Sequence, residues 1–254
     1  MQTIINKLKI IAYISGLILI FSPQLASAVA SGSPTQTPSL FCTNLANKYA
    51  TDQSNLNNLK TKVNTAISQR QSTLASNWQN WDQKLAADRA TWQTDRQTEF
   101  SALQAKATTT SEKTAVSNFI STVTNAITTR ESANDQARQQ YRTAVTTIIT
   151  NQSNLINSQI STFSQSIQTA DSTAQSACAV ATESGSTIRT AFVASLQTAH
   201  ATFTAERQSD STIKTEIAGL ASTRDNAITA NDATFKSTLD SALNNLKSAF
   251  PSNS

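Results

Sequence analysis

Between Pro38 and Pro251 the chain contains no proline, and only Gly185 and Gly219 lack a side chain across those 212 residues. Proline and glycine supply most of the backbone geometry that sharp turns need, so sandwiches, propellers, Rossmann folds and barrels are excluded. Helix is what remains. The apolar residues agree with this. From Leu45 through Tyr49, Leu56, Val63, Ile67, Trp78, Leu85 and Phe100 to Leu103 they recur at steps of three and four or their multiples, the period of one helix face. The pattern continues through Phe119, Val123, Ile127, Tyr141, Ile148, Leu155, Phe163 and Ile167, and again from Ile188, Phe192 and Leu196 to Leu246.

Two turn signals divide the run. Thr108, Thr109 and Thr110 weaken a helix, and Thr109 with Glu112 has the spacing of a capping box. Glu183-Ser184-Gly185-Ser186 offers a glycine to end a helix in the left-handed conformation. The expectation is an all-α fold, an elongated antiparallel three-helix bundle with helices at about 39–107, 111–181 and 186–250. A helix of about 65 residues is roughly 100 Å long. The third is expected to run unbroken through the polar stretch Gln208–Ser211, with at most a kink.

Residues 1–28 have the build of a secretory signal: Lys7 and Lys9, an apolar run from Ile10 to Phe21, then Ala26-Ser27-Ala28. Cleavage is expected before Val29, or before Ser31 at the second small-residue site. The competing reading is a retained anchor, but twelve apolar residues fall short of the roughly 20 that cross a bilayer. Residues 29–38 form a Pro/Ser/Thr linker, 39–250 a single helical domain and 251–254 a tail. Removing Lys7 and Lys9 from the 20 basic side chains leaves 18 against 16 acidic ones. With basic and acidic residues interleaved, no stripe exists to neutralise a phosphate backbone, and nucleic acid is not an expected partner.

The two cysteines test the arrangement. In a hairpin that turns near residue 110, facing residues have numbers adding to about 220, as Cys42 and Cys178 do. In an exported chain this predicts a disulfide across the open end of the first hairpin, with two buried free thiols as the alternative. The same register pairs Asp82 with Arg138 and Arg89 with Glu131, and sets Trp78 against Arg142. A second turn near Gly185 pairs Arg130 with Asp240 and Arg138 with Asp232. Arg70 and Asp88 fall near the apolar phase of the first helix, and Trp78, Trp81 and Trp92 share a face that is expected to pack at an edge, with an interaction face as the alternative.

Little in the chain suggests catalysis. His200 is the single histidine, and no HExxH, GxSxG, phosphate-cradling loop or cysteine cluster occurs. No catalytic, cofactor-binding or metal-ligating residue is assigned, and no cofactor is expected. Serine and threonine number 71, where helical surfaces ordinarily carry Glu and Lys, so the helices depend on their apolar seams rather than on intrinsic propensity.

Two phrases echo each other: Thr129-Arg130-Glu131-Ser132-Ala133-Asn134-Asp135, followed by Tyr141, and Thr223-Arg224-Asp225, followed by Ala230-Asn231-Asp232 and Phe235. With Phe41-Cys42-Thr43 near the start of the mature chain, the Trp/Asp/Arg-rich first helix and Ser176-Ala177-Cys178-Ala179, the whole mature sequence resembles a group of uncharacterised secreted long-helix, coiled-coil-like proteins of ultrasmall bacteria. That resemblance implies a bacterial cell-envelope setting, periplasm or surface, and carries no activity or site residue.

Three functional expectations follow. The first is an exported non-enzymatic helical rod, a scaffold or protein-interaction module whose partner is an unknown envelope protein or a second copy. The second is a periplasmic chaperone-like or ligand-carrying binder using the tryptophan face. The third is a membrane-active helical protein, disfavoured by the lack of a markedly hydrophobic hairpin.

Overall fold

The computed structural model describes residues 39–180, 183–208 and 212–250. The expected signal, the linker and the C-terminal tail lie outside them. Every regular element among the described residues is helical: α1 (Leu40–Lys106), α2 (Thr110–Val180), α3 (Gly185–Gln208) and α4 (Ile213–Ala249). The all-α expectation holds, and the first two boundaries fall within a residue or so of the predicted ones. The expected third helix is instead two, α3 and α4, on either side of residues 209–211, which lie outside the description.

Each start has a local cause. Ser39 caps α1, its Oγ accepting the Cys42 amide at 3.2 Å. At α2 the capping box is complete. Thr109 Oγ1 accepts the Glu112 amide at 3.2 Å, and Glu112 Oε2 accepts the amides of Thr109 and Thr108 at 2.9 and 2.8 Å. These backbone donors hold the Glu112 carboxyl below its usual range. Ser184 caps α3 through the Thr187 amide at 3.2 Å. Gly185 therefore opens a helix rather than closing one, and the left-handed cap expected there is not found. What requires glycine is crowding: a Cβ at Gly185 would coincide with the Cβ and Oγ of Ser39. The abundant Ser and Thr are accommodated by back-bonding, as in Thr73 to Gln69 at 2.8 Å and Thr238 to Thr234 at 3.0 Å, which ties hydroxyls to carbonyls one turn earlier.

The chain divides into two compact units, each contributed to by α1 and α2. The first comprises the described residues up to Asn55 and within Ser161–Lys214. Its core joins Leu45, Ala170, Ala174, Ile188 and Phe192, with Phe41 and Leu196 against it. Phe41 meets Phe192 at 5.7 Å between centroids, and Phe163 stacks on Phe203 at 4.9 Å. Cys42 and Cys178 border this core with their sulfurs at disulfide distance and Cα atoms 5.7 Å apart.

The second unit comprises Leu56–Ile160 and the described residues from Thr215 onward. Near the α1–α2 turn, Ala107, Val116 and Leu246 form a small core flanked by Leu103, Phe119 and Phe250. Elsewhere α1 contributes thinly. From 64 to 106 it buries no residue fully, and its covered face is a half-exposed stripe that includes Arg70, Leu74, Trp78, Leu85, Arg89 and Phe100.

Candidate functional site

The tryptophans of α1 do not form one packed edge. Trp78 is half-buried, whereas Trp81 is 43% and Trp92 53% exposed. What orders the first two is charge on α2. The Arg142 guanidinium lies 5.7 Å from the Trp78 ring centroid, as the sequence register required, and Arg138 lies 4.7 Å from that of Trp81. Beside these rings Asp82, Leu85 and Arg89 of α1 and Asp135, Arg138 and Arg142 of α2 line an open groove of about 470 Å³.

Two ion pairs in the groove sit one helical turn from the expected register, beside the expected Arg89–Glu131 pair. Asp82 takes Arg142 in a two-pronged pair at 2.6 and 2.7 Å, not Arg138. Arg89 takes Asp135 in the same way at 2.8 and 2.9 Å, with the expected Glu131 at 3.7 Å. Arg138 donates to Asp135 at 2.8 Å. Hydrogen bonds from the paired arginines hold Asp82 and Asp135 below the usual carboxylate range, and Asp135 raises Arg89. Burial lowers Arg138. Each guanidinium meets a carboxylate, with Asp135 shared by Arg89 and Arg138, so three arginines and two aspartates line the groove and it offers both donors and acceptors. Asp88 is exposed, contrary to its expected place near the apolar phase, while Arg70 is half-buried and pushed down by desolvation.

The echoed phrases turn out to face each other across α2 and α4. Arg130 stacks on Phe235 at 4.6 Å and Arg224 on Tyr141 at 4.5 Å. Midway, Asn231 donates to Asn134 Oδ1 at 2.9 Å, and Asn134 Nδ2 lies 3.4 Å from Asp232 Oδ1. In both phrases the arginine precedes its aromatic residue by 11 positions, three turns on one face. Antiparallel helices therefore exchange arginine for ring at each end around a central asparagine pair. This clasp again overturns the expected pairings. Arg130 is 3.7 Å from Asp232 rather than paired with Asp240, which takes Lys236 at 3.0 Å, and Arg138 takes Asp135 rather than Asp232.

One cluster escaped the sequence reading. In the first unit Asp171 of α2 is 1% exposed, and neither carboxylate oxygen has a hydrogen-bond partner. Asp52 of α1, 2% exposed, accepts from Lys48 Nζ through both carboxylate oxygens, at 2.7 and 3.0 Å. Desolvation, and secondarily the Asp52 charge, push Asp171 up to about 6. The signal was present in the spacing: Asp171 follows Phe163 and Ile167 by eight and four residues and precedes Ala174 by three, so it shares their inward face. Asp52 likewise lies between Tyr49 and Leu56.

His200 is half-exposed on α3. Among the described residues no group of three or more His, Cys, Asp or Glu side chains is placed to hold a metal ion, and no helix is long and apolar enough to cross a membrane. No protein-family model, no curated protein and no solved structure matches the chain.

Proposed function

We propose that this chain is an exported, non-enzymatic helical module that serves as a scaffold or protein-interaction element at the bacterial cell envelope. The observation that carries the reading is how its charged and aromatic side chains are spent. In the groove and in the clasp they join one helix to another, while Trp81 and Trp92 stand exposed on α1. Export is supported by the sequence of residues 1–28 and by two cysteines at disulfide distance, the usage of an oxidising compartment. The same proposal includes antiparallel packing of the long helices within each unit.

The partner is an envelope protein or another copy of the chain, met through the tryptophan face. Exposed indoles are suited to this because they bury much area at little conformational cost. Cell fractionation tests the proposal, with the protein followed in medium, soluble extract and washed envelope and its particle mass determined. Sedimentation with the envelope as a large assembly, reduced in a Trp81→Ala/Trp92→Ala chain, is the expected result. A free monomer in the soluble fraction overturns it.

A second reading rests on the groove of about 470 Å³ beside Trp81. A periplasmic carrier or chaperone-like binder would use it, and saturable quenching of tryptophan fluorescence by an unfolded client protein is its mark.

A further inference from the structure

Asp171 has the two features that make a buried carboxyl responsive to protons: almost no solvent and no hydrogen-bond partner for either oxygen. A buried acid kept for structure is ordinarily met by donors, as Asp52 is by Lys48. Its immediate neighbours along α2 worsen the position. Ala170 and Ala174 belong to the apolar core with Leu45, Ile188 and Phe192, and bring no polar atom to the site. The charges that act on Asp171 come from α1, where Asp52 opposes its ionisation and Lys48 favours it while already bound to Asp52. Beyond these, α1 carries the titratable Tyr49 and α3 carries Arg189, His200, Glu206 and Arg207. None of them exerts a resolved charge effect on Asp171.

We propose that Asp171 makes the first unit a proton-operated latch: protonated, it lets α1, α2 and α3 close over it, and ionised, it parts them locally to admit water. The direction follows from linkage. The folded carboxyl, at about 6, sits above the ordinary aspartate range. The stability it contributes is therefore complete below the unfolded value and lost as pH rises through the folded one. For these two values the local opening constant rises about tenfold between pH 5 and pH 8. The disulfide-distance pair sits seven residues along α2 from Asp171. It keeps the parted helices in register, so the change is local and reversible.

The test uses the full mature chain with its cysteines oxidised. The carboxyl carbon of Asp171 is followed by NMR from pH 3 to 8, with amide exchange of α2 and α3 in the same unit measured at pH 5 and pH 8 and corrected for intrinsic rates. The expected result is a titration midpoint well above that of the exposed aspartates and about tenfold more opening at pH 8. In Asp171→Asn, which removes the charge and preserves the shape, the pH dependence is expected to vanish with opening held at the low level. Titration of Asp171 with the exposed aspartates overturns the proposal, as does a pH dependence that persists unchanged in Asp171→Asn.

Discussion

The two units are built from the same two long helices, yet they are held by opposite chemistry. In the first, large apolar side chains hold the helices together: Phe41 pairs with Phe192 and Phe163 with Phe203, and the buried Asp171 carboxyl, without a hydrogen-bond partner, is a liability. In the second, α1 from 64 to 106 contributes only half-exposed residues, and arginines paired with carboxylates and rings align the helices. Apolar contact is non-directional and strong, whereas ion pairs and cation–π contacts are directional and individually weak. One unit is therefore suited to firmness and the other to register.

The largest expected effect removes the crosslink of the first unit, whose loop also encloses the α1 and α2 portions of the second. A crosslink spanning 136 residues stabilises by about 4–5 kcal/mol in the chain-entropy picture. Cys42→Ser with Cys178→Ser is expected to lower the urea midpoint by a corresponding amount. Next is Phe192→Ala, which removes a 4%-exposed ring from the centre of the same unit and is expected to cost about 3–5 kcal/mol, read by chemical denaturation of the oxidised chain.

The clasp tests the second unit. A double-mutant cycle on Arg224→Ala and Tyr141→Ala is expected to give a coupling of about 0.5–1 kcal/mol. A coupling of zero would reduce the echoed phrases to coincidence. The acid limb sharpens the contrast. Asp82 and Asp135 are held low by their arginines, so their contribution is present above the ordinary aspartate range and is lost as pH falls through their depressed values. Asp171 works the other way. Near-UV circular dichroism of the tryptophans, all in the second unit, is expected to report loosening only in strong acid. An effect of similar size is purely local: Thr109→Ala, which removes one half of the α2 capping box, costs about 1 kcal/mol.

The helical class, the first turn and the cysteine pair were legible because each depends on local chemistry or on simple counting. The Thr109–Glu112 box stops one helix and starts another with no help from distant residues, and Trp78 with Arg142 follows from the hairpin centre. The register was legible only in part, since Arg89 lies near Glu131 as expected but Asp82 takes Arg142 and Arg89 also takes Asp135. Sliding one helix by a turn keeps every residue on its face, so Asp82 can meet Arg138 or Arg142 with the same periodicity. Only the summed packing chooses. Gly185 misled because a glycine beside serines signals a helix end as readily as a helix start, and the deciding crowding by Ser39 comes from the far end of the sequence. Asp171 was hidden among Thr169, Ser172 and Thr173, a polar neighbourhood in one dimension that becomes an apolar one once the helix turns.

The most direct test of this contrast is residue-resolved amide hydrogen exchange on the chain at pH 7.5, with the cysteines oxidised and then reduced. Protection is predicted to fall on reduction in α3 and in the portions of α1 and α2 that belong to the first unit, while the α2–α4 clasp around Asn134 and Asn231 keeps its protection. A uniform loss across all four helices, or none in the first unit, would contradict the account.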